Sequence, residues 1–277
     1  MIKDVLVNLM LGASRDVAAD YAVSIGQALG AHVAAVGFAY DPVLPPSVMG
    51  GIPAEYIETQ RRESEKAAAD AIASFENAAR RNGVSAESRM MSASLAGASD
   101  LFGRLARRFD VSVLGQAEPD KAGPEELIIE AALFESGRPV IVVPYIQHDP
   151  LKLDRVMVCW DASRNAARAI ADAMPLLARA KRVDVVIVAN DAGKKSDELP
   201  GADIGQHLAR HGLEVEVKRI VSGGLDVANT LLSHAADSSV DFIVMGGYGH
   251  SRLREFVLGG ATRGVLSSMT VPALMSH

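Results

Sequence analysis

The chain carries its own pattern twice, and that repetition limits what it can fold into. An apolar run from Val5 to Leu11 leads into Ala13-Ser14-Arg15-Asp16, and a second run from Val156 to Trp160 leads into Ala162-Ser163-Arg164-Asn165. Further on, Leu101 to Asp110-Val111-Ser112-Val113-Leu114-Gly115 parallels Leu232 to Asp241-Phe242-Ile243-Val244-Met245-Gly246. A third pair matches Pro139-Val140-Ile141-Val142-Val143 with Val271-Pro272-Ala273-Leu274-Met275. The copies lie much further apart than the roughly 20–50 residues of solenoid repeats, so duplication of a whole domain is the simpler reading. The first copy is longer, with its extra residues in the loop 41–53 and the long helix after it. The join falls near Gln147-His148-Asp149-Pro150, which predicts domains at 1–147 and 151–277.

Each copy alternates strand and helix. Periodicity predicts strands near 3–10, 31–38, 84–91, 111–115 and 139–143, with helices near 14–29, 54–82, 98–109 and 124–136. In the second copy it predicts strands near 154–160, 183–189, 213–221, 240–245 and 271–275, with helices near 163–180, 202–211, 225–236 and 260–268. Ser14 and Ser163 are the expected caps of the first helix in each copy. Continuously apolar strands such as Val183 to Ala189 are buried on both faces, as in a parallel sheet covered by helices. The expected fold is α/β: two doubly wound, open, parallel five-stranded sheets with helices on both faces and flavodoxin-like layering. Ligands of such sheets sit beyond the carboxyl ends of the strands, where the strand order reverses.

Composition narrows the function classes. The 277 residues are 49% hydrophobic and 22% charged, ordinary for a globular chain with material for two cores. A net charge of −6 argues against general affinity for nucleic acid or an anionic membrane, so any phosphate site must be local and built from backbone. The one cysteine, Cys159, lies in an apolar run; it reads as a small buried hydrophobe, with a reactive thiol as the alternative. Lys3 and Asp4 interrupt any signal-like run, and no stretch is long enough to span a bilayer, so a cytoplasmic location is expected.

The apolar strand ending at Met245 feeds Gly246-Gly247-Tyr248-Gly249, and Gly259-Gly260-Ala261-Thr262 follows at the start of the last helix. A strand that runs through glycines into a helix N-terminus can cradle an anion, because bare N–H groups approach it and the helix dipole favours negative charge. Glycines after a strand also serve as plain turns. The spacing is neither the Rossmann fingerprint nor a P-loop, since no Gly-Lys-Ser/Thr follows.

In context, Gly246-x2-Gly249-x9-Gly259 resembles the nucleotide loop of the universal stress protein family, Gly-x2-Gly-x9-Gly-Ser/Thr. The resemblance covers the chain as two tandem copies. Val158-Cys159-Trp160-Asp161-Ala162-Ser163 is similar to the family's Val-Asp-Gly-Ser, and 240–246 to its Ala-Asp-Leu-Ile-Val-Met-Gly. Val271-Pro272-Ala273-Leu274-Met275 is like its Cys-Pro-Val-Leu-Val-Val.

The resemblance implies the adenine-nucleotide alpha-hydrolase-like fold and a C-terminal site for ATP, ADP or AMP, with Mg as an accompanying ion. It implies contacts from Asp161, Ala162, Ala189, Met245, Gly246, Gly249, His250, Gly259, Gly260, Ala261 and Thr262. Asp161 would face adenine and ribose, although a carboxylate there also suits a helix cap. The glycines would wrap ribose and phosphates, and Thr262 would add its hydroxyl. His250, Arg252 and Arg254 would reach phosphate oxygens or remain solvated loop charges. Gly260 departs from the family's Ser or Thr; a lost hydrogen bond to a charged group is worth about 1.5–3 kcal/mol, tenfold or more in affinity.

The first copy has lost the glycine spacing. Pro119 and Pro124 remove amide donors, Glu125-Glu126 open the next helix, and Gly12 stands where Asp161 stands in the second copy. It reads as a degenerate domain that became a scaffold or holds another ligand. The loop 41–53, apolar and rich in proline, reads as a lid, an interface or plain packing. His207 and His211, four apart on a helix, lack an evident third metal ligand, and Glu63 and Glu65 read as a solvated face.

The expectation is a stress-response protein with a sensing or regulatory nucleotide site. It is expected to have no catalytic residue and no resident metal, and to form an intrachain pseudo-dimer through the last strands. Homodimerisation, and an unidentified protein partner, are further expectations. The alternatives are a nucleotide-independent interaction protein and a slow ATP hydrolase.

Overall fold

Valine, isoleucine and alanine runs become strands here because helices cover them on both sides. The structure, a computed structural model, describes residues 1–42, 53–118, 123–189, 201–247 and 260–277. The chain packs as two units, one of residues 2–138 and one of 139–277 together with Met1.

The first unit runs β1 (Asp4–Asn8), α1 (Val17–Leu29), β2 (His32–Tyr40), α2 (Ala54–Arg81), β3 (Ala86–Ala93), α3 (Leu95–Ala106), β4 (Val111–Gly115) and α4 (Glu125–Glu135). Its strands lie in the order β3-β2-β1-β4, all parallel. β2 is buried along nearly its whole length, whereas β3, at the edge, is mostly exposed. α2 covers the sheet with Ala68, Phe75, Ala78 and Ala79 and turns a charged face outward, where Arg62–Glu58 and Lys66–Asp70 pair one turn apart.

The second unit runs β5 (Val140–Val143), β6 (Arg155–Cys159), α5 (Arg164–Leu177), β7 (Arg182–Ala189), α6 (Ala202–Arg210), β8 (Val215–Val221), α7 (Val227–Asp237), β9 (Phe242–Gly246), α8 (Gly260–Ser268) and β10 (Ala273–Ser276). Five strands are parallel in the order β8-β7-β6-β9-β10. β5 closes the β10 edge antiparallel, with Ile141 opposite Leu274. The sequence boundary after 147 and the packing boundary therefore differ by this one strand.

α5 shows how the second core is built. Ala166, Ala169, Ile170, Ala173, Leu176 and Leu177 recur at helical spacing and all are buried. Burial of each of the three larger side chains contributes about 1.5–3 kcal/mol. Among the described residues of the second unit, one charge is fully buried: Asp184 of β7, with Arg155, Arg182 and Lys218 at 3.0, 3.1 and 2.8 Å. Burial opposes its charge, but the bonds from Lys218 and Arg182 and the field of Arg155 hold its carboxyl below the usual range.

The first connection departs from expectation. The helix predicted from residue 14 starts at Val17, and its cap is Asp16 rather than Ser14. One Asp16 oxygen accepts from Ala19 N–H at 2.9 Å and the other from Met10 N–H at 2.7 Å. A carboxylate that binds both ends of the turn outcompetes a hydroxyl two residues earlier. Gly12, in the left-handed region at φ 68°, lets the longer turn close. Ser163 does cap α5, accepting from Ala166 N–H at 3.1 Å.

Candidate functional site

In the second unit the chain leaves β6 toward β7 on one side, while β9 flanks β6 on the other, so the strand order reverses at β6. A cleft of about 650 Å³ opens there, beyond the carboxyl ends of β6, β7 and β9. Its size falls in the range of small-molecule sites.

Three kinds of wall meet in it. Cys159, Trp160, Asp161 and Ala162 leave β6, and Met245 and Gly246 end β9. An apolar wall comes from Val186, Ile187 and Val188 of β7 with Val227 and Leu231 of α7. Gly260, Ala261 and Thr262 bring the N-terminus of α8 to the same cleft, and Gly201 and Asp203 bring the start of α6. Asp161 and Asp203 are the charged side chains among the described lining residues.

Local chemistry sets each wall. Asp161 Oδ1 accepts from Ser163 N–H at 2.9 Å, which fixes the turn and leaves capping to Ser163. Ala162, beside it, has φ 61°, a left-handed conformation that costs a residue with a Cβ about 1–2 kcal/mol. Gly246 is a glycine because α5 begins against it: a Cβ there would lie 2.7 Å from Ala166 N and 2.8 Å from the Asn165 carbonyl carbon. Asn165 also holds the segment leaving β9, since its Nδ2 donates to Gly247 O at 2.7 Å while Gly247 N–H donates to Ser276 O at 2.8 Å. His277 Nδ1 lies 3.1 Å from the same Gly247 oxygen. Gly247 is thus anchored at both its N–H and its carbonyl.

Of the residues the sequence singles out, Asp161, Ala162, Met245, Gly246, Gly260, Ala261 and Thr262 line this one cleft. Ala189 ends β7, where its carbonyl accepts from Ser222 N–H at 3.4 Å, and it is not among the lining residues. Gly249, His250 and Gly259, with Arg252 and Arg254, lie outside the described residues. Sequence reasoning missed Trp160, the β7 wall, Gly201, Asp203, Val227 and Leu231, because nothing in their spacing marks a cleft. Asn165 and His277 were missed for the same reason.

Burial and the nearby Asp161 push the Cys159 thiol up to about 12, so it stays protonated and is a poor nucleophile. The rings of His207 and His211 meet edge to face, with centroids 4.8 Å apart. Among the described residues no group of three or more His, Cys, Asp or Glu comes together as a metal site. Nor, among them, is any helix long and apolar enough to cross a membrane.

The corresponding place in the first unit is built otherwise. A smaller cleft of about 340 Å³ lies beyond β1, β2 and β4, lined by 8–13, Tyr40, Glu118 and Gly123 to Glu125. Gly115, which ends β4, meets the Met10 side chain instead of a helix backbone. Residues 119–122 and most of the loop 41–53 lie outside the described residues.

Residues 152–277 match the Universal stress protein family. A stretch of 67 residues is 31% identical to Universal stress protein Slr1230 of Synechocystis sp., covering 24% of this chain and 22% of that relative. Residues 152–277 form a universal stress protein domain. Two solved structures extend the likeness in fold to both units. One is a universal stress protein from Archaeoglobus fulgidus, at TM-score 0.72 and 16% identity over 99% of this chain and 95% of that one. The other, described as a putative universal stress protein from Pseudomonas aeruginosa, has TM-score 0.65 and 12% identity over 99% and 93%. At these identities the likeness establishes the fold, which is the adenine-nucleotide alpha-hydrolase-like fold of the family.

Proposed function

We propose that the second unit binds an adenine nucleotide and that the bound state serves a regulatory or sensing role in a stress response. One observation carries the reading: the start of α8 opens into the same cleft as Asp161 and the apolar wall of β7. A nucleotide needs those three surfaces together. The base would lie along Val186 to Val188, where apolar walls exclude water. The free oxygen of Asp161 would accept from a ribose hydroxyl or the exocyclic amine. The phosphates would meet the amides of Gly260, Ala261 and Thr262, where the positive helix end favours them. Gly249, His250 and Gly259 belong to the same proposal.

The site supports binding rather than turnover. Asp161 leaves β6, and its turn-forming bond to Ser163 commits one carboxylate oxygen to the backbone, which suits a fixed acceptor for ribose or base. Mg would accompany a triphosphate through phosphate and water oxygens.

Trp160 is the one tryptophan of the chain and lines the cleft, so it reports occupancy directly. Titration with AMP, ADP and ATP is expected to give a saturable change in its fluorescence, weakened about tenfold or more in Asp161→Ala. Absence of both fluorescence change and calorimetric heat at millimolar nucleotide would overturn the proposal and favour a nucleotide-independent interaction role, the reading that Gly260 supports. Steady phosphate release from ATP and Mg²⁺, lost in Asp161→Ala, would favour a slow hydrolase.

A further inference from the structure

The first unit keeps a cleft of about 340 Å³ at the carboxyl ends of its strands, but its chemistry is the reverse of a phosphate site. Glu118 and Glu125 line it, and among its described lining residues there is no lysine or arginine. Asn8, at the end of β1, also lines it; this residue is 5% exposed and its Oδ1 has no hydrogen-bond partner among the described residues. A buried amide oxygen left unpaired costs about 1–3 kcal/mol, so such a group marks a place that a donor fills. Tyr40 adds a phenol, which burial first and then the Glu125 carboxylate hold in its protonated form. The remaining wall is apolar, from Leu9, Met10, Leu11 and Pro124.

Charge decides which ligand suits this cleft. α4 begins at Glu125 and points its N-terminus here, a partial charge of about +0.5. Glu125 and Glu126 in its first turn outweigh that, and Pro124 before them offers no amide hydrogen. A phosphate would meet carboxylates where the second unit offers amides. A cation would meet carboxylate and amide acceptors at one end and aliphatic walls at the other.

We propose that the first unit binds a small organic ammonium ion with an apolar body, its N–H groups donating to Glu125 and Asn8. The ligand class is thus opposite in charge to the nucleotide proposed for the second unit, and the proposal does not depend on that one. The two units would then respond to two chemically distinct signals.

The full chain, isotopically labelled, can be titrated with 2-phenylethylammonium and followed by amide NMR. Saturable shifts are expected at Asn8, Gly12, Tyr40 and Glu125, with the cleft around Trp160 unmoved. The neutral analogue 2-phenylethanol should bind at least about tenfold more weakly, and phenylacetate should not bind. Glu125→Gln, isosteric on a part-exposed helix start, should weaken the ammonium ion about fivefold or more without changing the unliganded spectrum elsewhere. The proposal is overturned if about 10 mM ammonium ion shifts none of these residues. It is equally overturned if the alcohol binds as well as the ammonium ion. The analogue series needs no variant, so a misfolded Glu125→Gln would not rescue the idea.

Discussion

Gly260 is where one added side chain would test the strength of the proposed nucleotide site. A Cβ built there meets nothing within 4 Å among the described residues. Gly260→Ser therefore adds a hydroxyl without a clash and also lowers the backbone entropy of the unfolded chain. The expected result is tighter nucleotide binding by about tenfold, read by Trp160 fluorescence; unchanged affinity would place the phosphates elsewhere. Gly246 is the opposite case. A Cβ there would press on the backbone of Asn165 and Ala166, which cannot swing aside as a side chain can. Gly246→Ala is expected to cost about 1–3 kcal/mol, measured as a lower denaturation midpoint at unchanged m. The glycines look alike in the sequence, but among the described residues nothing crowds Gly260, whereas Gly246 faces packed backbone.

At the scale of an element, α1 depends on a carboxylate with a double duty. Asp16 caps the helix and pins Met10, but burial, opposed by the bonds from Ala19 and Met10 and aided by the Asp20 charge, raises its carboxyl to about 6. The folded state thus holds this proton more tightly than the unfolded chain, whose aspartates titrate near 3.9. The sign follows from linkage: between about pH 4 and 6 the native state binds more protons, so the Asp16 contribution falls as pH rises and is constant above that window. Denaturation midpoints from pH 4 to 7 should therefore fall more steeply for the natural chain than for Asp16→Asn, which keeps a capping oxygen. Parallel profiles would remove Asp16 from the account. Asp16→Ala loses the cap and is expected to cost about 1 kcal/mol at pH 7.

At the scale of the whole molecule, β5 decides how the second unit can stand alone. The buried face of β10, Ala273, Leu274 and Met275, is covered along one edge by β9 and along the other by β5. An unpaired parallel-sheet edge of this kind is a template for another chain. A fragment of 151–277, which lacks β5, is expected to pair through β10 or aggregate more strongly in light scattering than one of 139–277. Two monomeric fragments would mean that β5 is dispensable.

Much of this protein could be read from its residues in order. Strand and helix alternation follows from apolar runs and helical periodicity, which are local, and nearly every element lies within a few residues of its expected bounds. The glycines leaving β9 and the start of α8 were legible because a turn and a helix end constrain residue type at the site itself. Other features required the folded chain. The β7 wall of the cleft, the anchoring of Gly247 by Asn165 and Ser276, and the exchange of Ser14 for Asp16 as a cap depend on which backbone groups come within hydrogen-bond or van der Waals reach. Residues 165 and 247 are far apart along the chain, and only the parallel pairing of β6 with β9 sets them side by side. The sequence determined which segments form strands and helices, because those preferences act over a turn or a pleat. Tertiary structure alone decided which strand ends face one cleft and which charges meet there, because those contacts exist only after the sheet has closed.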